Sequence, residues 1–262
     1  MAEGFGGEVA ELYERYRRGY PAEIITAVAG AFALGSGDVV VDLGCGTGQV
    51  ALALAAVVRA VVGVDPEPDM LMVARRSASR LGLSNTSWVI GDDRDLPGLG
   101  QALGARSIAA LTIGQAAHWI DHQILFDRAR AWLRPGGGVA ILTNGTPLWL
   151  QDSSWSRSTR CFLEQWLDCE LVDRCGTDDR AQQRYREDLA AFGYEVDGVD
   201  CDWVAELSFD QLLGGVLSAM GGDRLPAGEQ RVAFASGLRA AVGSAQQFTE
   251  PVHVALITGR VQ

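Results

Sequence analysis

The sequence contains no lysine, and all 22 of its basic residues are arginine. Acidic residues number 33, which gives a formal net charge of −11 at neutral pH. Proteins that bind DNA or structured RNA need a cationic surface that neutralises many phosphates. The composition therefore argues against a nucleic acid partner.

Paired cysteines and long apolar runs are also missing. The five cysteines are odd in number and form no Cys-x-x-Cys pair, which favours a reducing compartment, the cytoplasm, over a disulfide framework. The longest apolar stretch, 50–64, is interrupted by Arg59 and is too short to span a bilayer. The N-terminus has no basic segment followed by an apolar run, so we expect no signal peptide and no membrane partner.

The chain does contain a glycine-rich loop that follows a strongly apolar run. Three β-branched residues, Val39–Val41, suit a strand buried on both faces of a parallel sheet, and Asp42 follows at its carboxyl end. Gly44, Gly46 and Gly48 come next, before an apolar run with helical periodicity. Because glycine accepts positive φ at low cost and has no Cβ, the loop lets a ligand approach the backbone where a strand meets a helix.

The spacing of the glycines separates two classes of ligand. A dinucleotide-binding loop reads Gly-x-Gly-x-x-Gly, whereas the third glycine here comes one position earlier. Asp42 adds a negative charge that disfavours a pyrophosphate and favours a cationic ligand such as S-adenosylmethionine. The sequence thus disfavours a nicotinamide oxidoreductase. The stretch Val39–Gly48 resembles motif I of the class I S-adenosylmethionine-dependent methyltransferases.

Acidic residues at two later strand ends suit an adenosine. Asp65 ends the run 60–64, and a carboxylate there can accept hydrogen bonds from both ribose hydroxyls. The stretch Gly91–Pro97 resembles Gly-Asp-Ala-Glu-Asp-Leu-Pro of the family, in which the aspartate, here Asp92, accepts from the adenine amino group. The resemblance also implies that the main chain at Asp93 reaches the adenine ring.

The start of the helix after Asp65 has two interpretations. Asp69 is the expected N-cap of this helix. The resemblance implies that Met70 packs on the adenine, and the alternative is that Met70 is a core residue.

An N-terminal segment and a loop extend the resemblance. Tyr16–Pro21 resembles Tyr-Arg-Pro-x-Tyr-Pro of small-molecule methyltransferases, in which the segment folds over the cofactor and the arginine, here Arg17, pairs with the methionine carboxylate. Arg18 replaces the proline of that motif. The alternative is that both arginines are solvated at a helix end. Gly114–His122 resembles Gln-Ala-x-His-Trp of trans-aconitate methyltransferase-like enzymes, which implies that Gln115 lies near the methionine part of the cofactor.

His118 is the candidate catalytic residue, because its reference pKa lies near neutrality and it could accept a proton during transfer. The alternative is that it only shapes the pocket. His118 and His122 are four residues apart, but Trp119 stands where His-Glu-x-x-His places its glutamate, so we expect no metal.

The resemblance implies an α/β fold, with a Rossmann-like seven-stranded, mostly parallel sheet and helices on both faces. We expect a cofactor-binding core with an N-terminal cap helix (1–145), a helical lid inserted after the fifth strand (146–192) and a C-terminal completion of the sheet (193–262). Predicted helices include 121–134 within the core, and 156–171 and 178–192 within the lid. Five of the seven tryptophans lie between positions 119 and 166, where they line a substrate pocket or fill the core of the insertion.

The expected function is S-adenosylmethionine-dependent transfer of a methyl group to an O, N or C nucleophile of a small organic molecule, for instance in specialised metabolism. The alternative is a protein of the same fold that binds the cofactor but does other chemistry or serves as a binding module. The sequence indicates neither the acceptor nor the oligomeric state. The residues expected to bind the cofactor are Arg17, Tyr20, Asp42, Gly44, Cys45, Gly46, Thr47, Gly48, Asp65, Pro66, Met70, Asp92, Asp93 and Gln115.

Overall fold

One seven-stranded sheet runs through residues 4–172 and 175–262, which the computed structural model describes. Its strand order is β3-β2-β1-β4-β5-β7-β6. The strands are β1 (Val39–Leu43), β2 (Ala60–Asp65), β3 (Thr86–Ile90), β4 (Ile108–Gly114), β5 (Leu133–Asn144), β6 (Glu195–Ser208) and β7 (Gln247–Arg260). Strands β1 to β5 are parallel and β7 runs antiparallel to β5 and β6, which confirms the predicted mostly parallel α/β sheet.

Helices cover both faces of this sheet. Those in the described ranges are α1 (Glu8–Tyr16), α2 (Ala22–Ala31), α3 (Gln49–Ala55), α4 (Pro68–Arg80), α5 (Leu96–Leu103), α6 (His122–Ala129), α7 (Ser154–Leu167), α8 (Asp179–Ala191), α9 (Phe209–Leu217) and α10 (Glu229–Val242). None of them combines the length and apolarity that a helix needs to cross a membrane.

The alternation of side chains along β1 builds a separate core on each face of the sheet. Val41 packs in the cluster that contains Phe126 of α6 and Leu189 of α8, whereas Val40 packs in the cluster with Leu54 of α3. Successive side chains of a strand point to opposite faces, so a strand covered on both sides is apolar throughout. This is why β1 reads as a continuous apolar run except for Asp42, which is also buried.

The predicted end of the helix before β5 is wrong. The helix predicted at 121–134 ends at Ala129, and β5 begins at Leu133 before the Pro-Gly-Gly-Gly run. Gly138 fits within the strand because it has no Cβ. A Cβ there would lie 2.1 Å from the carbonyl oxygen of Gly259 in β7. Such a close approach of two main chains is possible only for glycine.

The N-cap of α4 is Glu67 and not Asp69 as predicted. The Glu67 side chain accepts a hydrogen bond from the backbone N–H of Asp69 at 3.3 Å. Because Pro68 can occupy the first position of a helix, the helix begins two residues earlier than predicted. Asp69 instead accepts from the backbone N–H of Gly7 at 2.6 Å, which ties the start of α1 to α4.

The stretch predicted as one lid, 146–192, forms two elements with different neighbours. Helix α7 packs on α10, and its Leu163 shares a cluster with Phe234. Helix α8 packs on β6, β7 and α6, and its Tyr185 and Leu189 belong to the main core. Helix α8 is therefore part of the main core, whereas α7 belongs to a separate apolar cluster with α10. Residues 1–3 of the predicted core and 173–174 of the predicted lid lie outside the described residues.

We predict opposite effects for alanine at two glycines. Gly63→Ala should lower the free energy of unfolding by about 1–3 kcal/mol, because its Cβ would lie 2.5 Å from the Trp88 ring and 2.9 Å from Cys45 Sγ. Gly30→Ala is the matched control. It should raise the free energy of unfolding by about 0.5 kcal/mol, because Gly30 is helical, exposed and has open space around it. Urea denaturation measures both, and a Gly63→Ala protein as stable as the Gly30→Ala protein would contradict the packing described here.

Candidate functional site

The glycine loop after β1 turns through three residues with positive φ. Gly44, Gly46 and Gly48 have φ of 64°, 52° and 89°, a region that residues with a Cβ rarely adopt. A Cβ on Gly44 would lie 2.5 Å from Cβ of Ala116 in the loop after β4, whereas one on Gly46 would meet open space. The turn thus packs against the neighbouring loop on one side and leaves its centre accessible.

Asp42 supports this turn from below. Its Oδ2 accepts from the backbone N–H of Ala51 in α3 at 3.1 Å, and its Oδ1 accepts from Thr112 Oγ1 in β4 at 2.6 Å. Its side chain is 1% exposed, and this burial raises its pKa to about 7 despite the two hydrogen bonds. Asp42 therefore joins β1, β4 and the start of α3 at one point.

Asp65 supports the turn from the side. Its Oδ2 accepts from the backbone N–H of Gly46 at 2.8 Å, and its Oδ1 accepts from the backbone N–H of Glu67 at 2.9 Å. Burial raises the pKa of this carboxyl above its ordinary value. The end of β2 is thereby fixed to the centre of the glycine turn.

Two cavities meet at the turn. The first, which we call the acidic cavity, has a volume of about 350 Å³, and its wall includes Asp65, Pro66, Glu67, Met70, Asp92 and Asp93. The second, which we call the aromatic cavity, has a volume of about 290 Å³, and its wall includes Tyr13, Tyr16, Tyr20, His118, Trp119 and Trp149. Both cavities are lined by Gly44, Gly46 and Gln115, so one elongated ligand can occupy parts of both.

Twelve of the fourteen residues predicted to bind the cofactor line one of these cavities. The other two, Thr47 and Gly48, lie behind the turn. Thr47 is buried, and a Cβ on Gly48 would lie 3.0 Å from the Trp88 ring. Cys45 is also buried, and burial raises the pKa of its thiol well above its ordinary value. Thr47 and Gly48 thus pack away from the cavities, whereas Gly44, Cys45 and Gly46 line them.

Two residues of the acidic cavity combine a lining role with contacts to the protein. Met70 is 3% exposed and packs with Ala10 and Val73, so both of its predicted roles are compatible with its position. Asp92 accepts from Nε of Arg94 at 3.0 Å, and this guanidinium holds the pKa of the Asp92 carboxyl below its usual range. The Asp92 carboxylate is therefore ionised at the cavity wall.

Gln115 sits at the junction of the two cavities in an unfavourable conformation. Its φ is 53°, although it is not glycine, and its backbone N–H donates to the carbonyl oxygen of Leu142 at 2.9 Å. Its Oε1 is buried and has no hydrogen-bond partner among the described residues. A side chain held with positive φ and an unsatisfied acceptor is typical of a functional site.

The two candidate histidines lie in different surroundings. His118, in a 3₁₀ turn at Ala117–Trp119, lines the aromatic cavity. His122 contacts the carbonyl oxygen of Ala117 through Nε2 at 2.6 Å and Asp188 Oδ2 of α8 through Nδ1 at 3.2 Å. His122 therefore joins the loop to α8. Across the described ranges, no group of three or more His, Cys, Asp or Glu side chains is arranged to hold a metal ion.

The adjacent arginines also separate. Arg17 lines the aromatic cavity, and its guanidinium lies 5.4 Å from the centre of the Tyr13 ring. Within the part of the chain that the structure describes, its buried Nε has no hydrogen-bond partner. Arg18 forms an ion pair with Glu250 of β7. Of the two residues, Arg17 has unused hydrogen-bonding capacity at the cavity.

Several wall residues were missed from the sequence. Asn144, at the carboxyl end of β5, and Glu250, in the antiparallel β7, line the aromatic cavity together with Gln211 and Gly215 of α9. Asn144 had a usable signal, because it ends a strand at the edge where ligands bind. Nothing local marks the other three, since α9 and β7 reach the site only through tertiary packing.

Comparisons with known proteins fit this geometry. Residues 40–137 match the model of a family described as a methyltransferase domain. An uncharacterised methyltransferase of Mycobacterium tuberculosis is 35% identical over 144 residues, which are 55% of this chain and 53% of that protein. Residues 40–137 therefore carry a methyltransferase domain. This confirms the family indicated by the motifs, while the trans-aconitate branch stays a prediction.

Two other proteins resemble this chain, one in sequence and one in fold. The ubiquinone/menaquinone biosynthesis C-methyltransferase UbiE of Rubrivivax gelatinosus is 33% identical over 117 residues, which are 44% of this chain and 42% of UbiE. The crystal structure of YcgJ from Bacillus subtilis shares the fold with a TM-score of 0.56 at 17% identity, over 92% of this chain and 99% of that one. The chain spans about half the length of the curated relatives that it matches.

We predict that replacing Asp42 with Asn changes how stability depends on pH. The folded protein raises the pKa of Asp42 from 3.8 to about 7, so ionisation costs stability as pH rises through this window. Asn keeps an acceptor for Ala51, and its amide can donate to the Thr112 hydroxyl. Relative to Asp42→Asn, the unaltered protein should therefore lose roughly 1–3 kcal/mol between pH 5 and pH 8.

Urea denaturation of both proteins at the two pH values measures this difference. Asp200→Asn, at an exposed position of β6, is the matched control and should show no such change. A difference between the unaltered protein and Asp42→Asn that is the same at both pH values would show that Asp42 is not held as described.

Proposed function

We propose that this domain binds S-adenosylmethionine and transfers its methyl group to an O, N or C nucleophile of a small organic molecule. The observation that carries the proposal is the junction of the acidic and aromatic cavities at Gly44, Gly46 and Gln115. One cavity offers carboxylates suited to a nucleoside, and the other offers aromatic walls suited to an organic acceptor. A ligand whose ends occupy both cavities places its middle at the turn.

The residues present fit the cofactor. Asp65 would hold the ribose hydroxyls, Asp92 the adenine amino group, and Met70 would pack on the adenine ring. The backbone at Gly46 has open space above it where the amino acid part could lie. The buried, unpartnered Nε of Arg17 suits the methionine carboxylate, because an unsatisfied buried donor is costly until a partner arrives.

When bound, the cofactor supplies an electrophilic methyl group on a sulfonium. The protein contributes mainly by positioning the two reactants. The glycine turn, Arg17 and Asp65 hold the donor, and the aromatic cavity orients the acceptor in line with it. Tyr13, Tyr16 and Trp149 exclude water from this space. We assign to His118 the role of accepting a proton from the acceptor, since it lines the same cavity.

A small organic acceptor is supported by the lining of the aromatic cavity and by its size. The net charge of −11 disfavours nucleic acid. UbiE, one of the similar proteins, is named for methylation at carbon in quinone biosynthesis, which is chemistry on a small molecule. Cys45, Cys161, Cys169 and Cys201 are free thiols, which supports a reducing compartment and hence action in the cytoplasm.

We predict that the protein binds S-adenosylhomocysteine and that Asp65→Asn weakens this binding at least about tenfold. The reason is the loss of a charged acceptor for the ribose hydroxyls. Asp200→Asn, on the exposed β6, should bind like the unaltered protein. Isothermal titration calorimetry measures all three. No binding by the unaltered protein at high micromolar ligand would contradict the proposed function.

We further predict transfer of label from methyl-labelled S-adenosylmethionine into small metabolites of a cell extract separated from macromolecules by ultrafiltration. Boiled protein is the control. Label found solely in the macromolecular fraction would overturn the small-molecule assignment. Binding of the cofactor without any transfer would favour the alternative of a binding module.

A further inference from the structure

Two adjacent arginines contribute to the wall of the aromatic cavity, yet they have different partners. The buried Nε of Arg17 has no hydrogen-bond partner in residues 4–172 and 175–262, whereas Arg18 is bound by Glu250. The two residues follow the end of α1 on a segment with extended backbone at Arg17, where φ is −81° and ψ is 133°. Successive side chains of an extended segment point in opposite directions. A contact that fixes the Arg18 side chain on one side of the segment therefore directs the Arg17 side chain to the other side.

Glu250 is an unusual residue for its position. It lies in β7, is 3% exposed and lines the aromatic cavity. Both of its carboxylate oxygens accept from the Arg18 guanidinium, and Oε1 also accepts from Gln151 Nε2 at 3.3 Å. A buried carboxylate is costly unless it is paired and hydrogen-bonded, and this network supplies both conditions. The contact spans 232 residues of sequence.

The main chain of the same segment is also fixed. Asn144 Nδ2, at the end of β5, donates to the carbonyl oxygens of Arg18 and Gly19 at 3.0 and 3.2 Å. The Arg18 guanidinium in addition lies 5.7 Å from the centre of the Trp203 ring of β6. Side chains of the neighbouring strands β5, β6 and β7 thus contact Arg18. Because these contacts fix the segment, they also limit the positions that the Arg17 side chain can take.

We propose that Glu250 is a positioning residue for the amino acid end of the cofactor. Glu250 binds the Arg18 guanidinium and so directs it away from Arg17. It also fixes the backbone of this segment, so that Arg17 faces the glycine turn. This inference rests on the proposed function, because it assumes that Arg17 binds the methionine carboxylate. Without Glu250, the segment loses its charged anchor and Arg18 becomes a second free cation at the cavity wall, which repels Arg17.

The test compares two ligands that differ solely at the amino acid end. S-Adenosylhomocysteine carries the carboxylate, whereas 5′-methylthioadenosine has the same adenine and ribose without it. For Glu250→Gln, we expect the affinity for S-adenosylhomocysteine to fall about tenfold, the size of one charge-assisted contact, and the affinity for 5′-methylthioadenosine to change less than about twofold. Calorimetry with each ligand measures this ratio.

Two further variants complete the design. In Arg18→Gln/Glu250→Gln, neither a buried charge nor a free second cation remains, so the protein keeps its fold and the same selective loss is expected. Glu206→Gln, an exposed residue of β6, is the matched control and should leave both affinities unchanged. Melting temperatures of all variants are measured in parallel.

The outcomes separate the alternatives. Unchanged affinity for S-adenosylhomocysteine in both Glu250 variants overturns the proposal. An equal loss for both ligands also overturns it, since that would indicate a general structural role. If the unaltered protein binds 5′-methylthioadenosine and S-adenosylhomocysteine equally well, Arg17 does not contribute to binding the carboxylate. Glu250 then has no such contact to position, and the inference fails. If it binds neither, the proposed function fails instead.

Discussion

The glycine turn after β1 depends on two buried carboxylates for its shape. A turn with three positive-φ residues leaves backbone N–H groups that neither a strand nor a helix satisfies. Asp65 accepts from Gly46, and Asp42 accepts from Ala51 at the start of α3. Burial of these carboxyls raises both pKa values, so the protein accepts an electrostatic cost at this point to hold the turn open towards the two cavities.

The rest of the site follows from the geometry of that turn. The parallel strands β1, β2 and β4 bring their carboxyl ends to one edge, so the loops after them form the acidic cavity and its junction with the aromatic one. Elements distant in sequence then close the aromatic cavity: α1 from one side, α9 from another, and Glu250 of β7 at its wall. The same edge thus has an acidic half and an aromatic half that is assembled from several elements, and we propose that they bind the donor and the acceptor, respectively.

The sequence was sufficient to predict which residues lie at the strand ends. It was not sufficient to predict which elements close the site. Asp42, Asp65 and Asp92 could be placed because each follows an apolar run, and parallel strands align their ends. Helices α7 and α8 are both amphipathic, and periodicity shows that a helix has a buried face without showing what covers it. For this reason periodicity indicated both helices of the predicted lid, but not that α7 packs on α10 and α8 on β6 and β7. Glu250 gave no local signal, because its partner Arg18 is 232 residues away.

A crystal structure of the protein with S-adenosylhomocysteine tests the central claim most directly, that the turn between the two cavities holds the cofactor. We predict adenine beside Met70 and Asp92, both ribose hydroxyls on Asp65, and the carboxylate on Arg17 with Arg18 still bound to Glu250. An adenosine in the aromatic cavity, or an amino acid end directed away from Gly44 and Gly46, would contradict the assignment of the two cavities.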